Sequence, residues 1–172
     1  MDFDTRAANL VAAWGLARAA GHLAEDLPDD SWASSAATRA IMQGNRGQDT
    51  KPELLLRSLL HKRGLRYRVG ERPLPELPRR ADVVFRRERV AIFVDGCFWH
   101  GCPEHLRPAR KNASFWSEKI AGNKRRDAET NAALTQAGWA VVRVWEHDDP
   151  AEACERISEL VRERRADSQS AA

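Results

Sequence analysis

A chain of 172 residues, 42% of them hydrophobic and 31% charged, carries enough apolar material for one compact domain with a sizeable core. It holds no apolar run near the ~20 residues that a membrane helix needs, and its start, Met1-Asp2-Phe3-Asp4, lacks the basic flank of a secretory signal, so a cytoplasmic protein with no membrane partner is expected. A formal net charge of +3 does not by itself establish a nucleic-acid partner, although Arg86-Arg87-Glu88-Arg89 and Lys124-Arg125-Arg126 stand out as local basic clusters.

Residues 1–37 contain an Ala-rich stretch from Arg6 to Leu23 and then an acidic break, Glu25-Asp26-Leu27-Pro28-Asp29-Asp30, and read as a helical N-terminal extension. Thr50-Lys51-Pro52-Glu53 opens the next helix, with Thr50 placed to cap, proline in the first turn and Glu53 at the third helical position. Leu54, Leu55, Leu56, Leu59 and Leu60 supply its apolar face, and Gly64 ends it. Arg66 to Val69 alternates basic and apolar residues, and a loop with Pro73, Pro75 and Pro78 follows. Ala81 to Phe85 and Arg89 to Val94 have strand composition, joined through Arg86-Arg87-Glu88 as a hairpin turn. Ser114 to Ala137 is polar and helix-compatible, with Gly122 as its weak point and Gly138 as its stop. The strand Trp139 to Trp145 and a helix from Ala151 to about Arg165 complete the order, with 166–172 read as a fraying, disordered tail. This order predicts an α/β fold, a central mixed sheet flanked by helices.

The densest chemistry comes directly off an apolar strand, in Val94-Asp95-Gly96-Cys97-Phe98-Trp99-His100-Gly101-Cys102-Pro103-Glu104-His105. Three cysteines cannot all pair with one another, and two of them beside histidines in a reducing compartment suggest a metal ion rather than a disulfide. Cys97, Cys102 and His105 lie within nine residues in a Gly/Pro loop, and His147 is the candidate fourth ligand of a closed tetrahedral site. Two buried free cysteines with solvent-facing histidines are the alternative. Cys154 reads as a bystander.

His100 is the histidine left over if His105 and His147 take the metal, and a free imidazole is a natural general base near neutral pH; a supporting or substitute ligand is the other option. Asp82 stands among apolar strand residues, where burying a carboxylate costs free energy unless a cation or donors meet it. It could equally be a simple acceptor of backbone hydrogen bonds. Mg²⁺ on Asp82 with His100 as base would supply a Lewis acid and a deprotonated water for phosphodiester hydrolysis. Glu53 could add a contact through water, yet a capping box explains it without catalysis. Phe98, Trp99, Phe115 and Trp116 are aromatics beside polar loops that could wedge between base steps, or pack in the core. Lys111, Lys119, Lys124, Arg125 and Arg126 could track phosphates, or form a solvated face.

At these residues the sequence resembles the very short patch repair (Vsr-type) DNA mismatch endonucleases. The resemblance rests on Asp49-Thr50-Lys51-Pro52-Glu53, Gly64 to Val69, Arg80 to Phe85, Val94 to His105, Asn112 to Ile120, Asn123 with Arg126-Asp127, and Gly138-Trp139 through Trp145-Glu146-His147. It covers about residues 38 to 160, so that 38–165 reads as the endonuclease domain, and it implies a fold similar to type II restriction endonucleases with a structural zinc. By the same resemblance, Asp82 matches the magnesium-binding aspartate, Val94 the residue whose backbone carbonyl helps hold Mg²⁺, His100 the catalytic histidine and Glu53 a glutamate near the active site. Cys97, Cys102, His105 and His147 match the Zn²⁺ positions, and Phe98, Trp99 and Trp116 match intercalating aromatics. The implied activity is a nick in duplex DNA on the 5′ side of the thymine in a T:G mismatch left by deamination of 5-methylcytosine, which starts repair. The implied partners are that DNA and, by analogy, mismatch-repair proteins, with the chain acting as a monomer. Ala81 stands where the family commonly has proline. As in the family, no lysine stands beside Asp82, so the histidine carries more of the base role. A zinc-stabilised module that binds distorted DNA without cutting, or a nuclease of the same scaffold with another DNA target, are the rival readings.

Overall fold

The computed structural model describes residues 47–109 and 112–170. The Ala-rich stretch within 1–37, the segment Arg39 to Arg46, Lys111 and the last two residues of the tail lie outside the described residues. The elements below belong to one unit, Arg46–Ala109 with Ala113–Ala172.

Four strands, β1 (Arg68–Glu71), β2 (Ala81–Phe85), β3 (Val90–Asp95) and β4 (Ala140–Trp145), form one sheet in the order β1-β2-β3-β4. The first two pairings are antiparallel and the β3–β4 pairing is parallel. A parallel pair needs a crossover, and helix α2 (Ala113–Gln136) supplies it. Helix α1 (Lys51–Lys62) precedes the sheet and α3 (Pro150–Ser170) follows it. The result is a mixed α/β domain, a four-stranded sheet flanked by helices.

Alternate residues of the central strands enter two separate cores, as the period of a strand requires. Val83 and Phe85 of β2 and Val90 and Ile92 of β3 pack with Leu56 and Leu60 of α1 and with Ala153, Cys154, Ile157 and Val161 of α3. Val84, Ala91 and Phe93 pack instead with Leu134 of α2 and with Trp139. Burial on both faces explains why β2 and β3 read as near-continuous apolar runs. Cys154, 1% exposed, is a core residue of the first layer.

The leucine face of α1 is narrower than the sequence suggests. Leu56 and Leu60 are buried and Leu59 is partly so, but Leu54 and Leu55 remain 38% and 46% exposed. Five leucines at those positions span well over half the helix circumference at about 100° per residue, more than one packed face can cover. Gly64 closes α1 as expected, with φ +76° and Leu65 N–H bonded to the Leu60 carbonyl. Strand β3 begins at Val90 rather than Arg89, because Arg89 takes φ 52° inside the turn. Gly122 does not interrupt α2. Helix α3 runs to Ser170, past Arg165, with Ser168 and Ser170 hydroxyls bonding back to the Arg164 and Ala166 carbonyls.

One feature of the register positions the site. The β2–β3 ladder ends at Val83↔Ile92, whereas β3 and β4 stay paired to Asp95↔Trp145. Beyond Val83 the strands part, and the backbone N–H of Val94 is taken by the Asp82 carboxylate.

Candidate active site

Asp82 Oδ2 accepts the Val94 N–H at 2.7 Å. Burial pushes the Asp82 carboxyl up to about 6, the Val94 N–H pulls the other way, the charges of Glu53 and Asp95 add to the rise, and Arg57 opposes it. Two further carboxylates, Glu53 and Asp95, thus lie near enough for their charges to bear on Asp82. Glu53, 4% exposed in the first turn of α1, accepts the Asp49 N–H at 2.9 Å and the Thr50 hydroxyl at 2.7 Å. This is a displaced capping box: the Thr50 hydroxyl donates to Glu53 instead of capping a helix N–H, and Glu53 reaches back past the N-cap to Asp49. Each glutamate oxygen keeps a further lone pair. The buried Arg57 pairs with the Asp49 carboxylate and fixes the segment that precedes α1.

The loop after β3 carries His100. Its Nδ1 lies 2.7 Å from Asp127 Oδ2 and 3.6 Å from Asp95 Oδ1. Asp127 comes from α2 and Asp95 from the last position of β3. Arg143 of β4 joins them, with Nη1 bonded to both Asp95 oxygens at 2.8 and 2.7 Å and Nη2 to Asp127 Oδ1 at 3.1 Å. A carboxylate can only accept, so Nδ1–H donates to it, and in the neutral ring Nε2 is the nitrogen able to take a proton. Asp95 is the link between the two halves of the site: it follows Val94, whose N–H the Asp82 carboxylate accepts, and its own oxygen approaches His100, so Asp82 and His100 gather at the same end of β3.

Asp95, Asp127 and Arg143 were not among the site residues read from the sequence. Two of them left a signal there: Asp95 is a carboxylate ending the apolar strand VAIFVD, and Arg143 is the single cation in the strand AVVRVW. A charge in a buried strand needs a partner. Asp127 lies in a charged helix, and only its place in the Asn123, Arg126-Asp127 motif of the Vsr resemblance marks it.

Cys97, Cys102, His105 and His147 converge: one ligand atom from each lies within 4.8 Å of the other three. Cys97 Sγ is 3.0 Å and Cys102 Sγ 3.9 Å from His147 Nδ1, and Cys102 Sγ is 3.7 Å from His105 Nδ1. Ligand bonds of ~2.0–2.3 Å set tetrahedral donors roughly 3.4–3.8 Å apart, so two thiolates and two imidazoles at these separations fit such an ion. The other nitrogen of His147 faces Asp148 at 3.6 Å and Glu104 at 3.7 Å, which turns Nδ1 toward the sulfurs. Burial, the neighbouring Cys102 and the Glu146 carboxylate push the Cys97 thiol up to about 12. For Cys102 burial acts upward too, but the backbone N–H groups of His105 and Glu104, together with the His105 and Cys97 side chains, outweigh it and lower its thiol. A cation is what would keep both sulfurs ionised. Glu146 also accepts the Cys97 N–H at 2.6 Å, tying the loop to the end of β4.

The same loop needs Gly101. Its φ is +63°, and a Cβ there would lie 2.8 Å from Ile120 Cγ2 of α2. Phe98, Trp99 and Trp116 form one edge-to-face cluster with centroids 5.2–5.9 Å apart, and Phe115 packs on Trp116 at 5.1 Å. Trp116 is buried in it, Phe98 and Trp99 are half-buried, and Phe115 is 42% exposed. Asn123 Nδ2 donates to the Trp99 carbonyl at 2.6 Å, holding the loop on α2. Lys119, Lys124, Arg125 and Arg126 are exposed or nearly so along that helix.

The family model of DNA mismatch endonuclease Vsr matches residues 31–105. The type II nicking enzyme V.XorIIP of Xanthomonas oryzae pv. oryzae is 43% identical over 110 residues, which cover 63% of this chain and 78% of that protein. This chain belongs to the Vsr family. Among other Vsr relatives, the type II nicking enzyme V.NaeI of Lentzea aerocolonigenes is 46% identical over 114 residues, 63% of this chain and 66% of its own length. The DNA mismatch endonuclease Vsr of Escherichia coli K12 is 42% identical over 113 residues, 64% of this chain and 70% of its own. Among the described residues, no helix is long and apolar enough to cross a membrane.

Proposed function

We propose that this protein is a DNA endonuclease that nicks duplex DNA on the 5′ side of the thymine in a T:G mismatch, the lesion left by deamination of 5-methylcytosine, and so opens the strand for repair. The observation that carries this reading is the meeting, at one end of β3, of a carboxylate group centred on Asp82 with a histidine oriented by Asp127. Membership in the Vsr family supports it, as do relatives named as mismatch endonuclease and nicking enzymes. On this reading 38–165 is the catalytic domain, its sheet follows the plan of type II restriction endonucleases, and one copy acts alone.

Asp82 and the main-chain carbonyl of Val94 would hold Mg²⁺, with Glu53 contributing through water; the close carboxylates and the raised Asp82 carboxyl are the donor set such a hard cation relieves. Bound there, the ion supplies charge stabilisation at the phosphate and a more acidic water. His100 takes the proton of the attacking water on Nε2 while Asp127, fixed on Nδ1, stabilises the imidazolium that results. One P–O ester bond breaks as the bond to the water oxygen forms. Cys97, Cys102, His105 and His147 would hold Zn²⁺, which pins both ends of the loop that presents His100. Phe98, Trp99 and Trp116 would enter the base stack, which a weakly stacked wobble pair resists least, and the basic face of α2 would follow the phosphates.

A duplex panel tests the reading. Matched, T:G and methylated duplexes are incubated with protein in Mg²⁺ or EDTA, and the products are resolved by strand. A Mg²⁺-dependent nick confined to the thymine strand of the T:G duplex is expected, with Asp82→Ala and His100→Ala slowed by roughly 10²–10⁴-fold while still binding. Cutting of matched DNA at the same rate would move the target elsewhere. Binding with no cleavage under any cation would leave a recognition module.

A further inference from the structure

We infer that Arg143 is a positioning residue for this hydrolysis: by occupying both oxygens of Asp95, it leaves Asp127 as the carboxylate that holds His100. The inference rests on the nuclease reading above.

Two carboxylates compete for one imidazole nitrogen. Asp127 Oδ2 is 2.7 Å and Asp95 Oδ1 3.6 Å from His100 Nδ1. The side chain of Asp95 is only 5% exposed, so its charge must be met inside the protein. Arg143 meets it with two short hydrogen bonds from a single nitrogen, 2.8 and 2.7 Å. The same guanidinium donates to Asp127 Oδ1 at 3.1 Å and, through Nε, to Asn131 Oδ1 at 3.2 Å, which leaves Asp127 Oδ2 for the histidine. Its Cζ lies over the Phe93 ring, 5.0 Å from the centroid.

Strand β4, helix α2 and strand β3 thus meet in one guanidinium, and the orientation of His100 follows from how its bonds are divided. A planar group with five fixed donors can make that division; an ammonium, a single point charge with three donors, can balance the charge but cannot bridge Asp95, Asp127 and Asn131 at once. Without the bridge, Asp95 draws the imidazole toward itself, and Nε2 turns away from the water it must deprotonate. A misplacement of about 1 Å can cost on the order of 10²-fold in rate.

The test is single-turnover and steady-state nicking of the T:G duplex by wild type, Arg143→Lys, Arg143→Met, Asp127→Asn and the Arg143→Met/Asp127→Asn pair, with DNA affinity and melting temperature measured on each. The expected result is a loss of about 10- to 100-fold in kcat for both Arg143 variants, with KM and DNA affinity unchanged. In the Asp127→Asn background the Arg143→Met change should cost little more, because its effect runs through Asp127. If Arg143→Met melts below the assay temperature, Asp95→Asn/Arg143→Met removes the competing carboxylate along with the guanidinium, and its kcat is expected to return to within a few-fold of wild type. Wild-type kcat in Arg143→Lys, a kcat in the Asp95→Asn/Arg143→Met pair that stays about 10-fold or more below wild type, or independent, multiplicative losses for Arg143 and Asp127 would overturn the inference. Failure of the nuclease reading gives a different result, namely wild-type protein that does not nick or a His100→Ala variant as fast as wild type.

Discussion

Two groups of potential ligands flank the end of β3, and they are built on opposite principles. In the loop from Cys97 to His105, closed by His147, four donor atoms converge within 4.8 Å, and nearby carboxylates turn His147 inward. Near the strand gap, the charges of Glu53 and Asp95 bear on Asp82, and each of the three has a partner of its own: the Asp49 N–H with the Thr50 hydroxyl for Glu53, Arg143 for Asp95 and the Val94 N–H for Asp82. Convergent soft donors make a closed site that holds structure together. Dispersed carboxylates make an open one, where a hard cation keeps positions for water and phosphate. The lesson is that the same few residues of loop can serve both, because one site fixes the backbone that the other uses.

The contrast can be broken in order of effect. The largest change is expected at the open site, where Asp82→Ala or His100→Ala should remove nearly all nicking and leave the melting temperature within a few degrees of wild type; unfolding in step with inactivity would erase the distinction between the sites. Next comes the closed site. Cys102→Ser or His147→Ala should lower metal content below one ion per chain and cost about 4 kcal/mol of stability, roughly 10 °C of melting temperature, since loss of a structural metal belongs to the most damaging class of change.

A smaller effect depends on pH. The folded-state carboxyl of Asp82 is raised, to about 6, so it favours folding only while protonated, and that advantage is lost as pH rises from the ordinary carboxylate range through 6. Asp82→Asn should therefore melt higher than wild type in chelator above pH 6, by on the order of 1–3 kcal/mol, with the difference vanishing near pH 4. Added Mg²⁺ should raise the wild-type midpoint and not that of the variant. Equal melting of the two proteins at pH 7.5 would mean the carboxylate carries no such cost. The smallest effect is at Gly101→Ala, where the positive φ and the approach to Ile120 predict a loss of about 1–2 kcal/mol, read by thermal melting, with metal content retained.

How much of this was legible in the sequence depended on whether a residue's role is local. The strand Ala81–Phe85 was readable from β-branched and aromatic composition, and the glycine stops at 64 and 138 from their backbone freedom. The convergence of Cys97, Cys102 and His105 into a possible metal site was readable because the three are neighbours in the chain, and that of His147 because it follows a strand end. The division of five leucines between core and solvent was not legible, since it depends on which arc of α1 meets β2 and α3. Nor was the His100–Asp127–Arg143–Asp95 array, whose members come from a loop, a helix and two strands and meet only through the β3–α2–β4 crossover. The Thr50–Glu53 motif was half legible: the residues pair, but as a displaced box that turns the glutamate into the carboxylate cluster.

The most direct test of two sites with separate duties is a graded chelation series on the wild-type protein, following bound metal, circular dichroism and T:G nicking in the same samples. Mild EDTA should abolish nicking with fold and zinc content intact, and Mg²⁺ alone should restore it; stronger chelation should then release the second ion and unfold the domain. Activity and fold disappearing together in a single step would contradict the division between an open reactive site and a closed structural one.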